Sequence, residues 1–117
     1  MGRAQRLRHG REFAAVYRRG RAYRSELVML RALRTGEPVS RAGFTAGRVL
    51  GGAVVRNRVK RRLREAVRAL ALAPGWDLVL NARRGAVGAD YARLYEAVAD
   101  LARRAGVTLE GKEAALG

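Results

Sequence analysis

The chain contains no cysteine. Disulfides, cysteine-based zinc fingers and thiol nucleophiles are excluded with it. Histidine is nearly as scarce. His9 stands alone, so neither a histidine metal cluster nor a pair of imidazoles can be assembled. No apolar run approaches the ~18 residues of a membrane-spanning helix, and Met1 to Arg11 is too charged to form the apolar core of a secretory leader. The expected location is the cytoplasm. Acids are the remaining shortage. Ten Asp and Glu face 25 Lys and Arg in 117 residues, a formal charge of +15. A surface so charged repels itself and attracts polyanions, which leaves nucleic acid and anionic membrane as the obvious partner classes.

Hydrophobic residues make up 49% of the chain, enough for a real core, and the length suits a single domain over residues 1–117. Lys60 and Lys112 are the only lysines. The other cations are arginines, whose planar donor fork grips phosphate and stacks on bases. GC-rich codon usage would explain Arg in place of Lys. It would not explain the excess of cations over acids.

The apolar pattern predicts helix, strands, helix, strand, helix. Glu12 to Arg19 is a short helix stopped by Gly20, with Phe13, Val16 and Tyr17 on one face. Arg21 to Arg24 reads as a short extended piece and Leu27 to Leu33 as a strand. In that strand Met29 and Arg31 share one face, and Val28, Leu30 and Ala32 the other. A turn at Thr35 to Ser40 leads to a glycine-weakened strand, Ala42 to Gly47. Val54 to Leu72 is a long amphipathic helix ended by Pro74 and Gly75. Asp77 to Arg83 is a strand, with Trp76 in the turn before it, and Ala89 to Ala105 a closing helix. The ordered core is expected over about 6–105, with 106–117 as a loose tail. This order of elements implies an α+β sandwich.

The long helix carries the strongest signal. On a helical wheel Asn57, Lys60, Arg61, Arg64 and Arg68 fall opposite the apolar stripe, with no acid among them. Arg58 and Arg62 extend the charge along one flank. A solvated face normally mixes signs, because acid–base pairs four apart stabilise a helix. Here Lys60/Arg64 and Arg64/Arg68 repel, and Arg61/Glu65 is the only favourable pair nearby. Docking on phosphates gives such a face a purpose.

GGAVVRNRVKRRLREAVR, Gly51 to Arg68, resembles the signature of the bacterial ribonuclease P protein family. The hallmark is Arg56-Asn57-Arg58, followed by Lys60-Arg61 and Arg64. RLRHGREFAAVYRRGR (Arg6 to Arg21) is similar to the family's first helix, and DLVLNARRGA (Asp77 to Ala86) to its late strand. The resemblance implies three helices on a four-stranded, mostly antiparallel sheet, a two-layer sandwich with a left-handed βαβ crossover through the basic helix. A domain of a small-subunit ribosomal protein shares that fold. The resemblance further implies a protein subunit that partners ribonuclease P RNA and precursor tRNA in Mg2+-dependent removal of the 5′ leader, an endonucleolytic hydrolysis. The RNA, with Mg2+ bound mainly to it, would carry the chemistry. No catalytic residue, no metal and no stable protein partner are expected on the protein itself. Arg56, Asn57, Arg58, Lys60, Arg61, Arg64 and Arg68 are implied to contact the catalytic RNA. Phe13 and Tyr17 would line a leader-binding cleft floored by Met29 and Arg31. Two departures stand out. Gly51-Gly52 replaces the family's Gly-Asn turn, and Arg31 stands where an aromatic residue is frequent.

The residues themselves agree with a non-catalytic role. The acids form no recognisable metal-site motif, and His9 reads as a surface residue. Aromatics interleaved with cations around Phe13 and Tyr17 suit single-stranded RNA, although such a pair is more often core. The rival readings are a ribosomal or general RNA-binding protein, a membrane-surface protein and a helix-turn-helix. Small aliphatics on the helix's apolar side argue against a membrane surface, and the intervening strands argue against a helix-turn-helix.

Overall fold

The computed structural model describes residues 4–109. Five strands are present: β1 (Gln5–Arg6), β2 (Arg21–Arg24), β3 (Val28–Arg34), β4 (Arg41–Thr45) and β5 (Trp76–Ala82). The helices are α1 (Gly10–Arg19), α2 (Ala53–Arg68), the single turn α3 (Gly85–Gly88) and α4 (Tyr91–Ala105), with a 3-10 turn at Arg48–Leu50. The α+β class follows as expected. The strands lie in the order β1-β4-β5-β3-β2. β2 and β5 flank β3 antiparallel, while β4 runs parallel to both β5 and β1. The two-residue β1 is an addition to the four strands expected. With it the sheet is evenly mixed rather than mostly antiparallel. The basic helix α2 links the parallel neighbours β4 and β5, so the βαβ unit lies where the resemblance put it.

Strand alternation sorts the side chains onto two faces. Val28, Leu30, Ala32, Ala42, Leu78 and Leu80 point to one, where Val59, Leu63, Ala66 and Val67 of α2 and Leu94, Val98 and Leu101 of α4 complete the principal core. Val79 points to the other face and is equally buried, because α1 lies there. Leu7, Val16 and Val79, with Phe13 and Leu33 against them, form a separate small cluster. A two-layer description is therefore incomplete, since α1 makes a partial third layer. The central strand is covered on both sides, which is why DLVLN reads as apolar without alternation.

The C-terminal end of α2 differs from the periodic reading. The helix stops at Arg68, capped at Ala69, although Leu70 and Leu72 continue the apolar spacing. Leu72 is instead buried by an extended bridge to Thr108. Ser40 fixes the loop that follows: its hydroxyl donates to the Ala73 carbonyl (2.7 Å) and accepts from the Trp76 amide (3.1 Å). Trp76 is thus the first residue of β5, not a turn residue. At the far end Gly106 closes α4 in the left-handed region, with φ of 74°. The chain then turns Val107 into the core. Val107 and Thr108 are therefore buried rather than part of a loose tail, while Leu109 is exposed. The rest of that expected tail, and residues 1–3, lie outside the described residues.

Candidate nucleic-acid interface

Two surfaces carry the residues singled out from the sequence. The first is α2. Asn57, Arg58, Arg61 and Arg68 are exposed, while Lys60, Arg64 and Arg56 are half-buried. Arg56 lies three residues before Val59 and so turns toward the packed side, where its Nε is enclosed without a hydrogen-bond partner. Arg62 reaches across to the Ala89 carbonyl (3.2 Å) and ties α2 to the approach to α4. Arg64 lies over the Phe44 ring, with its guanidinium carbon 5.5 Å from the centroid. Among the described residues the only ion pairs are Arg41 with Glu12 and Asp77, and Asp100 with Arg103 and Arg104. Arg61 and Glu65 do not close the pair that their spacing allows. Among the described residues the cations of α2 are therefore unneutralised.

The second surface is the α1 side of the sheet, which grades from one end of α1 to the other. Under the N-terminal turn, Arg41 holds Asp77 through two bonds, Nε to Oδ1 at 2.9 Å and Nη2 to Oδ2 at 2.7 Å. Its Nη1 donates to Glu12. Glu12 also accepts the backbone N–H groups of Arg8 (2.8 Å) and His9 (2.9 Å). The His9 and Arg8 amides, and then Arg41, hold its carboxyl down at about 2. Asp77, chiefly, pushes the Arg41 guanidinium the other way, so it stays charged. Asp77 is buried as half of this clamp, a role that its place at the start of an apolar strand did not reveal.

Midway along α1, Phe13 packs with Leu7, Val16 and Val79. Its ring occupies the space a side chain at Gly43 would need: a Cβ there would come within 2.4 Å of it. At the C-terminal turn the surface opens. Tyr17 is 44% exposed. Its hydroxyl accepts from Asn81 Nδ2 (2.7 Å), and the Arg31 guanidinium lies over its ring at 4.7 Å. Arg31 in turn donates to Asn81 Oδ1 (2.6 Å), and Asn81 Nδ2 also reaches Thr45. Met29 pairs across the sheet with Asn81 and shares its face. The structure thus gathers Tyr17, Arg31 and Met29 at one open end and puts Phe13 in the closed, apolar middle. Asn81 and Thr45 were missed by sequence reasoning. The only signal was a polar residue following the apolar run Leu78 to Leu80, two places beyond Val79 and so on its face.

Among the described residues no three His, Asp or Glu side chains gather to hold a metal ion, and no helix is long and apolar enough to cross a membrane. The family model for Ribonuclease P matches residues 1–106. The chain belongs to the ribonuclease P protein family. It is 46% identical over 110 residues to the ribonuclease P protein component of Roseiflexus castenholzii, covering 92% of this chain and 90% of that one. The component from Symbiobacterium thermophilum is 42% identical over 111 residues, covering 92% and 96%. Among solved structures, the RNase P protein of Thermotoga maritima superposes with a TM-score of 0.78 at 27% identity, over 86% of this chain and 96% of that one. That of Staphylococcus aureus shares the fold with a TM-score of 0.80 at 22% identity, over 89% and 97%. Family membership makes the chain a protein component of ribonuclease P, with ribonuclease P RNA as its partner and tRNA processing as its role.

Proposed function

We propose that the two surfaces divide the work of the ribonucleoprotein. The α2 face, with Arg56, Asn57, Arg58, Lys60, Arg61, Arg64 and Arg68, docks on the catalytic RNA. The cleft between α1 and the sheet holds the 5′ leader of precursor tRNA, using Phe13, Tyr17, Met29 and Arg31 together with Asn81 and Thr45. The RNA and the Mg2+ bound to it perform the hydrolysis that leaves a 5′-phosphomonoester, and the protein raises substrate affinity. Glu12 and Asp77 are both engaged by Arg41, and among the described residues no cluster of acids is free to hold an ion. No step is therefore assigned to a protein-bound ion. The enzyme works in the cytoplasm.

The observation that carries this reading is the state of Tyr17. Its ring is fixed by Arg31 and Asn81 yet 44% exposed. A side chain held rigid but left open is suited to stacking on a base. Stacking with cations along the backbone reads sequence weakly, as an enzyme accepting many leaders requires. The test is processing of precursor tRNA by the cognate catalytic RNA at low Mg2+, with and without the protein. Cleavage at the mature 5′ end rises with the protein, and protein alone cleaves nothing. Specific cleavage by RNA-free protein, or no effect of protein on the RNA's reaction, contradicts the proposal.

A further inference from the structure

A cleft of ≈ 280 Å³ opens between β1, β4 and α2, on the face of the sheet away from Tyr17. Its walls bring together Gln5 and Arg6 of β1, Phe44 and Ala42 of β4, and Arg64 and Arg68 of α2. Three guanidinium groups and no carboxylate line it. Among the described residues neither Arg6, Arg64 nor Arg68 forms an ion pair. Arg64 is the most constrained of the three. One side of its guanidinium rests on the Phe44 ring, and its Nε is enclosed without a partner.

The dimensions and the lining select the ligand. The volume is near the ~300 Å³ lower bound of small-ligand sites, so it takes one nucleotide and not a run of them. Arginine cations grip a phosphate. A guanidinium plane supported from behind by an aromatic ring offers its other side to a base. Of the two β1 residues, Arg6 is the one that pairs with Ala42 and shares its face of the sheet; Gln5 pairs with Arg41 on the α1 face and lines the cleft through its backbone position. We infer that this cleft is a binding site for one unpaired nucleotide of RNA, its base stacked on Arg64 and its phosphate held by Arg6 and Arg68. The inference rests on the proposed docking of α2 on RNA. It adds Arg6 of β1 and Phe44 to that interface, and it makes part of the docking depend on a base turned out of its helix.

The test uses the full chain labelled with 15N and titrated with adenosine 5′-monophosphate, ribose 5-phosphate and inorganic phosphate in separate experiments. The nucleotide is expected to shift the Gln5, Arg6 and Phe44 amides and the Arg64 Nε–H, with a Kd about fivefold or more below that of ribose 5-phosphate. R6Q weakens it about tenfold, as loss of one charged hydrogen-bond donor implies. Equal affinities for all three compounds would reduce the cleft to a simple anion site and overturn the inference. So would shifts confined to other surfaces. Because the wild-type chain gives the decisive comparison, misfolding of R6Q would not shelter the idea. Catalytic-RNA binding by an R58A/R61A variant, whose side chains lie outside the cleft, separates the two claims. If that variant loses assembly while the nucleotide ignores the cleft, the cleft alone is wrong. If assembly is unaffected while the nucleotide still binds, the docking face is wrong and the cleft stands.

Discussion

Leu80 and Val79 are neighbours on β5, both buried, yet they belong to different parts of the molecule. Leu80 joins the continuous core under α2 and α4, and Val79 the small cluster under α1. The first face is apolar across the sheet and closed by two long helices. The second is clamped by Arg41, Glu12 and Asp77 at one end, apolar for one turn in the middle, and polar and open at Tyr17. The main core and the open end at Tyr17 are thus separated by the thickness of a strand. The core face fixes the sheet, and the sheet presents the rigid floor on which α1 sets the width of a cleft.

The most severe way to break this comparison is to truncate each neighbour in turn. L80A removes a core side chain and costs about 2–5 kcal/mol, enough to threaten the whole fold. V79A removes two methyl groups and costs about 1.5–2.5 kcal/mol. Native-state hydrogen exchange distinguishes them. L80A accelerates exchange throughout the sheet and α4, whereas V79A acts mainly on α1. Uniform acceleration in both variants would show that the faces are one cooperative unit.

A smaller effect comes from the clamp. Glu12 has a carboxyl held at about 2 in the folded chain against an ordinary value of 4.5. A depressed value means stability that is present above pH ~4.5 and lost as pH falls toward 2. Thermal unfolding followed across that window should show the wild type losing stability more steeply than E12Q. Parallel curves would mean that Glu12 contributes nothing through its charge.

The smallest effect concerns the turn into α2. Gly51 has φ of 139°, a region open only to glycine, but Gly52 is an ordinary extended N-cap without a side-chain cap. A Cβ on Gly52 would meet nothing within 4 Å. G52N restores a capping side chain and should stabilise the chain by ~0.3–0.5 kcal/mol, read as a small rise in Tm. A fall in Tm would show that the turn needs both glycines.

Much of this was legible in the sequence because it rests on periodicity. β2 lies at Arg21–Arg24 as read, and α4 ends at Ala105 as read. Asp90, read as the second residue of that helix, is instead its N-cap and accepts from the Arg93 amide. What escaped depended on distant partners. The two-residue β1 has no pattern of its own and exists because Gln5 and Arg6 pair with Arg41 and Ala42. Leu72 kept the helical spacing but was claimed by Thr108. The separation of Phe13 from Tyr17 turns on Gly43, thirty residues along the chain from Phe13, which gives up its side chain to the Phe13 ring. Charge patterning along α2 predicted a basic face, but it could not show that Arg56 is half-enclosed or that Arg64 rests on Phe44.

The division of labour between the two surfaces is tested most directly by measuring two affinities in two variants. The variants are Y17A and R61A/R64A, and the affinities are protein for catalytic RNA and holoenzyme for precursor tRNA with and without its leader. Y17A is predicted to leave assembly with the catalytic RNA intact and to weaken only leader-bearing substrate, by about the ~1–3 kcal/mol of one stacked base. R61A/R64A is predicted to weaken assembly and to flatten its salt dependence, because fewer counterions are released. If Y17A weakens both substrates equally, or if R61A/R64A leaves assembly and its salt slope unchanged, the two surfaces do not divide the work in this way.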